Sequence, residues 1–190
     1  MKIIKSRLFK ALVILLIVGF ILGIISYFIL DNSNDSIINY FSLLKESKLN
    51  YSNSLLISLI QNYKYSIIIW ILGIIFMFSF IIPFIILYRG ISLGLTLFSI
   101  IVIFKTKGLL ISFILLFPTV LLNELIFLLL SYYAINFSLK VYRSIKNNKM
   151  INIKSFSRNY FYIFLISLGL LLLSSIFEIY ITSNIIKYVL

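Results

Sequence analysis

Between positions 89 and 105 the chain reads RGISLGLTLFSIIVIFK, an apolar run from Ile91 to Phe104 closed at each end by a cation, Arg89 and Lys105. A hydrocarbon core of about 30 Å takes about 20 apolar residues as helix. Ile91–Phe104 is shorter than that, so by itself it reads as a short tilted span or a re-entrant piece. Its flanks arbitrate. Upstream lie two longer apolar runs, Leu8–Leu30 and Tyr65–Tyr88; downstream lie Leu109–Leu139 and Tyr160–Ile181. Lys2, Lys5, Arg7 and Lys10 precede the first run, and Lys140, Arg143, Lys146, Lys149, Lys154 and Arg158 follow the fourth. Cytoplasmic connections carry the excess of Lys and Arg, and these two basic stretches share a side only if Ile91–Phe104 crosses.

The expectation is therefore an all-α, polytopic membrane helix bundle of five transmembrane helices, N-terminus in and C-terminus out. It forms one integral membrane domain with spans at about 8–30, 65–88, 91–104, 109–139 and 160–181. An outside segment covers 31–64, and a basic cytoplasmic loop covers 140–159. The cost is Lys105 and Lys107 in a tight outside turn. A second boundary breaks the chain at Pro83 and runs the third helix from Phe84 to Phe104, which puts Arg89 inside the membrane. Leu8–Leu30 is too long for the apolar part of a signal peptide and no A-x-A-like site follows it, so an uncleaved anchor is expected.

Composition agrees. Hydrophobic residues make up 62% of the 190 residues and charged residues 12%, with mean hydropathy +1.15. A soluble domain carries about 25% charged residues, so only lipid can cover this much apolar surface. The net charge of +12 gathers at the ends of apolar runs, where topology signals sit, and the segment Lys140–Arg158 is suited to anionic lipid rather than nucleic acid. With no Cys and no His there is no Cys-based zinc site and no histidine general base. No phosphate-binding loop and no paired acids on one helix face occur. No cofactor and no enzymatic activity are expected.

A few polar and small residues stand out against this background. Gly19-x-x-x-Gly23 and Gly90-x-x-x-Gly94 allow close helix approach, within the chain in preference to between chains. Glu124 falls near bilayer mid-depth, where a charge costs about 2.5–3.5 kcal/mol on insertion scales, so it should be neutral or paired. Asn123, a tyrosine or Arg89 could hold it; a proton or substrate site in a transporter is the sharper alternative. Pro118 kinks the fourth span or divides it. Asn136 and Ser138 are expected to hydrogen-bond between helices, and Glu178 to lie near the outer end of the last span. Ile37, Phe41 and Leu44 share one face of a short helix in the outside segment and could dock a partner.

The stretch Arg89-Gly-Ile-Ser-Leu-Gly-Leu-Thr96, with Lys107-Gly108-Leu-Leu, Phe117-Pro118 and Ala134-Ile-Asn-Phe-Ser-Leu139, resembles the stage II sporulation protein M family. Its motif positions here are Gly90, Gly94, Gly108, Pro118 and Asn136. Thr119-Val120 stand where many relatives carry a polar pair, and Glu124 lies one place beyond the usual glutamate. The resemblance implies a non-enzymatic membrane component of the sporulation engulfment machinery. It would anchor two peptidoglycan-degrading partners, stage II sporulation proteins D and P, at the septum or the engulfing mother-cell membrane. The rival reading is a small transporter or permease-like subunit using Glu124 in a polar path.

Overall fold

A computed structural model describes residues 6–29, 51–115, 120–146 and 153–189. The expected docking residues Ile37, Phe41 and Leu44, and Pro118, lie outside the described residues. The described chain contains five helices: α1 (Arg7–Tyr27), α2 (Tyr51–Ile74), α3 (Ile81–Leu115), α4 (Leu121–Lys146) and α5 (Ile153–Val189). Ser6 caps α1, its hydroxyl accepting from the Phe9 N–H at 3.1 Å, which satisfies one of the donors every helix start leaves open. Among the described residues, four stretches are long and apolar enough to cross a membrane: Arg7–Tyr27, Ile81–Leu110, Leu121–Lys146 and Ser157–Glu178.

The helix boundaries differ from the expected ones at several places, and α2 begins at Tyr51, inside the segment 31–64 expected to lie outside the membrane. The break between the second and third helices is not at Arg89–Gly90. It spans 75–80, where a single 3-10 turn, Phe76–Phe78, is tied by the Ser79 hydroxyl donating to the Phe76 carbonyl at 3.0 Å. Pro83 is the reason. A proline inside a helix removes one hydrogen bond and clashes with the carbonyl four residues back, whereas in the first turn it costs little. The helix therefore starts just before Pro83, and Arg89 lies within it, as the second boundary above requires.

The tight turn expected at Lys105 and Lys107 is present: Lys105, with φ 52° and ψ −125°, breaks α3 into an outgoing arm, 81–104, and a return arm, 106–115. The arms pack back to back: the Ser112 hydroxyl donates to the Leu97 carbonyl at 3.4 Å, and a Cβ on Gly108 would run into the Ile100 carbonyl and the Ile101 Cα. The apolar stretch 109–139 is accordingly divided between the return arm and α4. Finally, the basic segment 140–159 is largely helical, because α4 continues through Lys146 and α5 begins at Ile153.

Contacts fix the helix directions. Gly19 and Gly23 of α1 meet Gly90 and Gly94 of α3, whose Cα atoms lie 3.2 and 3.0 Å from where the α1 Cβ atoms would be. The two helices run parallel, and no side chain at these positions would leave the crossing intact. This is the most extensive helix–helix contact in the molecule. Gly73 of α2 lies against Ala134 of α4, and the Ser138 hydroxyl donates to the Phe76 carbonyl at 3.2 Å, so α2 and α4 also run parallel. Tyr160 of α5 donates to the Trp70 carbonyl of α2 at 3.0 Å, and Asn62 of α2 donates to Ser175 of α5 at 3.3 Å, so those two are antiparallel. Directions thus alternate along the chain. The core is built around α4, with Phe127, Leu130 and Ala134 fully buried against Ile69, Ile82, Ile86 and Leu171. Leucines, isoleucines and phenylalanines such as Ile21, Phe84, Leu125 and Ile166 face outward on every helix of the bundle's periphery.

Candidate functional site

Arg89 stands one residue before Gly90, which rests on Gly19 just past the middle of α1. A guanidinium at that height is surrounded by hydrocarbon unless a neighbour answers it. Glu124, 35 residues later, does so. Arg89 donates through Nη2 at 2.6 Å and through Nε at 3.0 Å, both to the same oxygen, Oε1. The side chains are 12% and 6% exposed. Glu124 lies in the first turn of α4, where the positive end of the helix dipole also favours a carboxylate. The guanidinium carbon lies over the Phe127 ring at 3.7 Å and over the Tyr65 ring at 5.2 Å, contacts that an arginine makes more readily than a lysine. The pair therefore joins α3 to α4, and Tyr65 brings in α2.

A second carboxylate lies close by. Glu178 Oε2 accepts from the Ser58 hydroxyl at 3.2 Å, and Arg89 is within electrostatic range of it. One turn along, Asn62 bonds Ser175, and Ser66 and Ser174 are buried in the same region between α2 and α5. Among the described residues, buried polar atoms without a protein partner are Ser66 Oγ, Asn123 Oδ1, Glu124 Oε2 and Ser131 Oγ, with the Trp70 indole N–H.

The bonds at this site join helices, Arg89–Glu124 tying α3 to α4 and Ser58–Glu178 tying α2 to α5. The Glu124 carboxylate is engaged by a permanent cation, and the Ser58 hydroxyl by the Glu178 carboxylate. Among the described residues no group of three His, Cys, Asp or Glu could hold a metal.

Of the residues singled out from the sequence, Arg89 and Glu124 are brought together, and Asn123 sits beside them with its side chain buried. Gly90 and Gly94 form the crossing with α1, and Gly108 admits the return arm of α3. Asn136 departs from its expected role: its amide donates to the Tyr132 carbonyl of its own helix at 3.0 Å, while Ser138 does bridge two helices. The polar seam between α2 and α5, with its Ser58–Glu178 and Asn62–Ser175 bonds, was not anticipated. Its signal was present as polar residues at helical spacing in otherwise apolar stretches, Ser58, Asn62 and Ser66 in one helix, and Ser167, Ser174, Ser175 and Glu178 in the other.

Compared with known proteins, the chain matches a family model described as Stage II sporulation protein M over residues 11–183. No curated protein and no solved structure matches it.

Proposed function

The chain belongs to the stage II sporulation protein M family, a family of sporulation-related membrane proteins, and from that premise we propose that it is a non-enzymatic membrane scaffold of the engulfment complex. In this reading it crosses the membrane five times, N-terminus in and C-terminus out. It anchors the peptidoglycan-degrading stage II sporulation proteins D and P at the septum, and later in the engulfing mother-cell membrane. The observation that carries the reading is the family match over nearly the whole chain. Two features support it. The alternating helix directions put Arg7, Lys10, Lys140, Arg143 and Arg158 at one end of the bundle, the pattern of a cytoplasmic face. The mid-depth charges are engaged in joining helices, which leaves contact as the mode of action.

The test is fluorescence microscopy of a deletion strain, stained with a membrane dye under sporulation conditions. Flat or bulging septa without membrane migration are expected, together with co-purification of the two hydrolases with a tagged wild-type chain from sporulating cells. Normal engulfment in the deletion strain would reject the scaffold.

A second reading, transport through a polar path at Glu124, draws on the buried Glu124 Oε2 and Asn123 Oδ1 that no protein group satisfies. It requires that Glu124→Gln abolish a proton- or ion-coupled flux in reconstituted vesicles. A variant with unaltered flux and phenotype eliminates it.

A further inference from the structure

At the basic end of the bundle α4 and α5 part to leave a pocket of about 580 Å³, within the usual range for small-ligand sites. Tyr160 and Phe137, stacked with centroids 4.6 Å apart, form its floor. The Tyr160 hydroxyl is turned away to the Trp70 carbonyl. Tyr132, Tyr133, Asn136, Lys140, Asn159 and Tyr162 line the rest. Phe9 of α1 packs edge-on against Tyr132 at 6.1 Å, which puts the pocket at the level where Arg7 and Lys10 enter the bundle.

The lining selects a class of ligand. Its one formal charge is the Lys140 ammonium. Exposed Arg143 follows a turn later, and exposed Arg158 adjoins Asn159. No acid occurs in the sequence between Glu124 and Glu178. Amides and phenol groups add uncharged hydrogen-bonding capacity around that cation. This is a site for an anion with several oxygens. The surface above it is apolar and outward-facing: Leu129 on α4 and Leu165 and Ile166 on α5 are 38%, 46% and 62% exposed. A ligand seated here thus has its polar group among lysine, amides and tyrosines and its remainder against aliphatic side chains. Basic pockets between membrane helices on the cytoplasmic side suit phosphate-bearing lipid headgroups for this reason, and tyrosines favour the same interfacial depth.

We propose that the cleft between α4 and α5 seats the headgroup of one anionic phospholipid, of the phosphatidylglycerol or cardiolipin class, with its acyl chains lying along Leu129, Leu165 and Ile166. The lipid bridges the two helices at this end of the bundle. Recognition of this kind ties the basic end of the protein to the composition of the leaflet that contacts it.

The test is native mass spectrometry of the full chain in detergent, supplied with phosphatidylglycerol and phosphatidylcholine of identical acyl chains. Wild type retains one phosphatidylglycerol with a preference of about five-fold or more, and Lys140→Gln, which removes a charge at an exposed position, brings the preference close to one. Lys107→Gln, at the opposite end, leaves it intact. Trp70, the single tryptophan, stacks beside Tyr160 at 6.4 Å and supplies a second readout that a poorly folded variant cannot imitate. Its emission is quenched more by brominated phosphatidylglycerol than by brominated phosphatidylcholine in wild type, and equally by both in a Lys140→Gln protein of unchanged thermal midpoint. Equal retention of the two lipids by wild type overturns the proposal. So does an equal loss from Lys107→Gln, and so does displacement of the lipid by millimolar inorganic phosphate, which would make the pocket a site for free anions.

Discussion

Arg89 spends both of its contacts on a single oxygen of Glu124 and leaves the other oxygen buried without a partner, and this asymmetry decides how the pair responds to substitution. A guanidinium cannot lose its proton inside a protein, whereas a carboxyl can take one up and become neutral. Glu124→Leu therefore strands a permanent charge, at a cost of about 3–5 kcal/mol. Arg89→Met is the milder loss, because Glu124 can protonate. The double variant Arg89→Met/Glu124→Leu should recover most of the stability, as replacing a whole buried pair by apolar groups is often close to neutral. Thermal unfolding in detergent gives this ranking; equal losses from the two single variants would contradict it. If the pair only holds helices, the double variant should also restore engulfment where Glu124→Leu abolishes it. The need for a partner at Glu124 was legible from its place in an apolar run. The identity of the partner was one of several options, because the two residues are 35 apart and no helical spacing connects them.

At the level of elements, two features of α3 set the architecture. The first is the crossing with α1, where a Cβ on Gly94 would meet the Phe20 carbonyl carbon at 2.9 Å. Gly94→Leu should separate the helices and cost about 2 kcal/mol or more, in the range typical of overpacking. Gly169→Leu, at a position with nothing within 4 Å, should change stability by less than about 0.5 kcal/mol; comparison of unfolding midpoints checks both. The second is the reversal at Lys105. A positive φ costs a residue with a Cβ about 1–2 kcal/mol, so Lys105→Gly should stabilise the protein by up to about 1 kcal/mol, and Lys105→Ile should destabilise it. Refolding yield after thermal challenge and the unfolding midpoint read this directly. The glycine pairs made the crossing legible, since nothing else in an apolar sequence specifies so close an approach. The reversal was legible as the tight turn expected at Lys105 and Lys107 between two apolar runs. The need for space at Gly108, opposite Ile100, was not legible, and that residue stood out through family resemblance without a reason attached.

For the whole molecule, the absence of cysteine makes topology directly measurable with single introduced thiols. A membrane-impermeant maleimide added to intact cells should label Lys107→Cys, and should label Lys146→Cys only after the membrane is opened. Both residues lie at helix ends and are exposed, so neither exchange should disturb packing. Labelling of both from outside would reverse or break the proposed five-pass arrangement. The helical class was plain in the apolar runs and in the basic ends. What the pattern could not supply was the way α2, α4 and α5 share a polar region. That region depends on side chains from distant segments meeting, and hydropathy averages the Ser58, Asn62 and Glu178 contributions away.

The wide spacing of Arg89 and Glu124 also has a consequence in time. A ribosome adding about 5–20 residues per second needs roughly 2–7 s to pass from one to the other. Throughout that interval the arginine has been made and its counter-ion has not. For those seconds the outgoing arm of α3 is a poor solute for lipid, however apolar its remainder. The nascent helix has reason to wait at the insertion machinery until the return arm and α4 follow, and to enter the bilayer with them as one hairpin. The order of assembly is thus set by where a single carboxylate falls in the message.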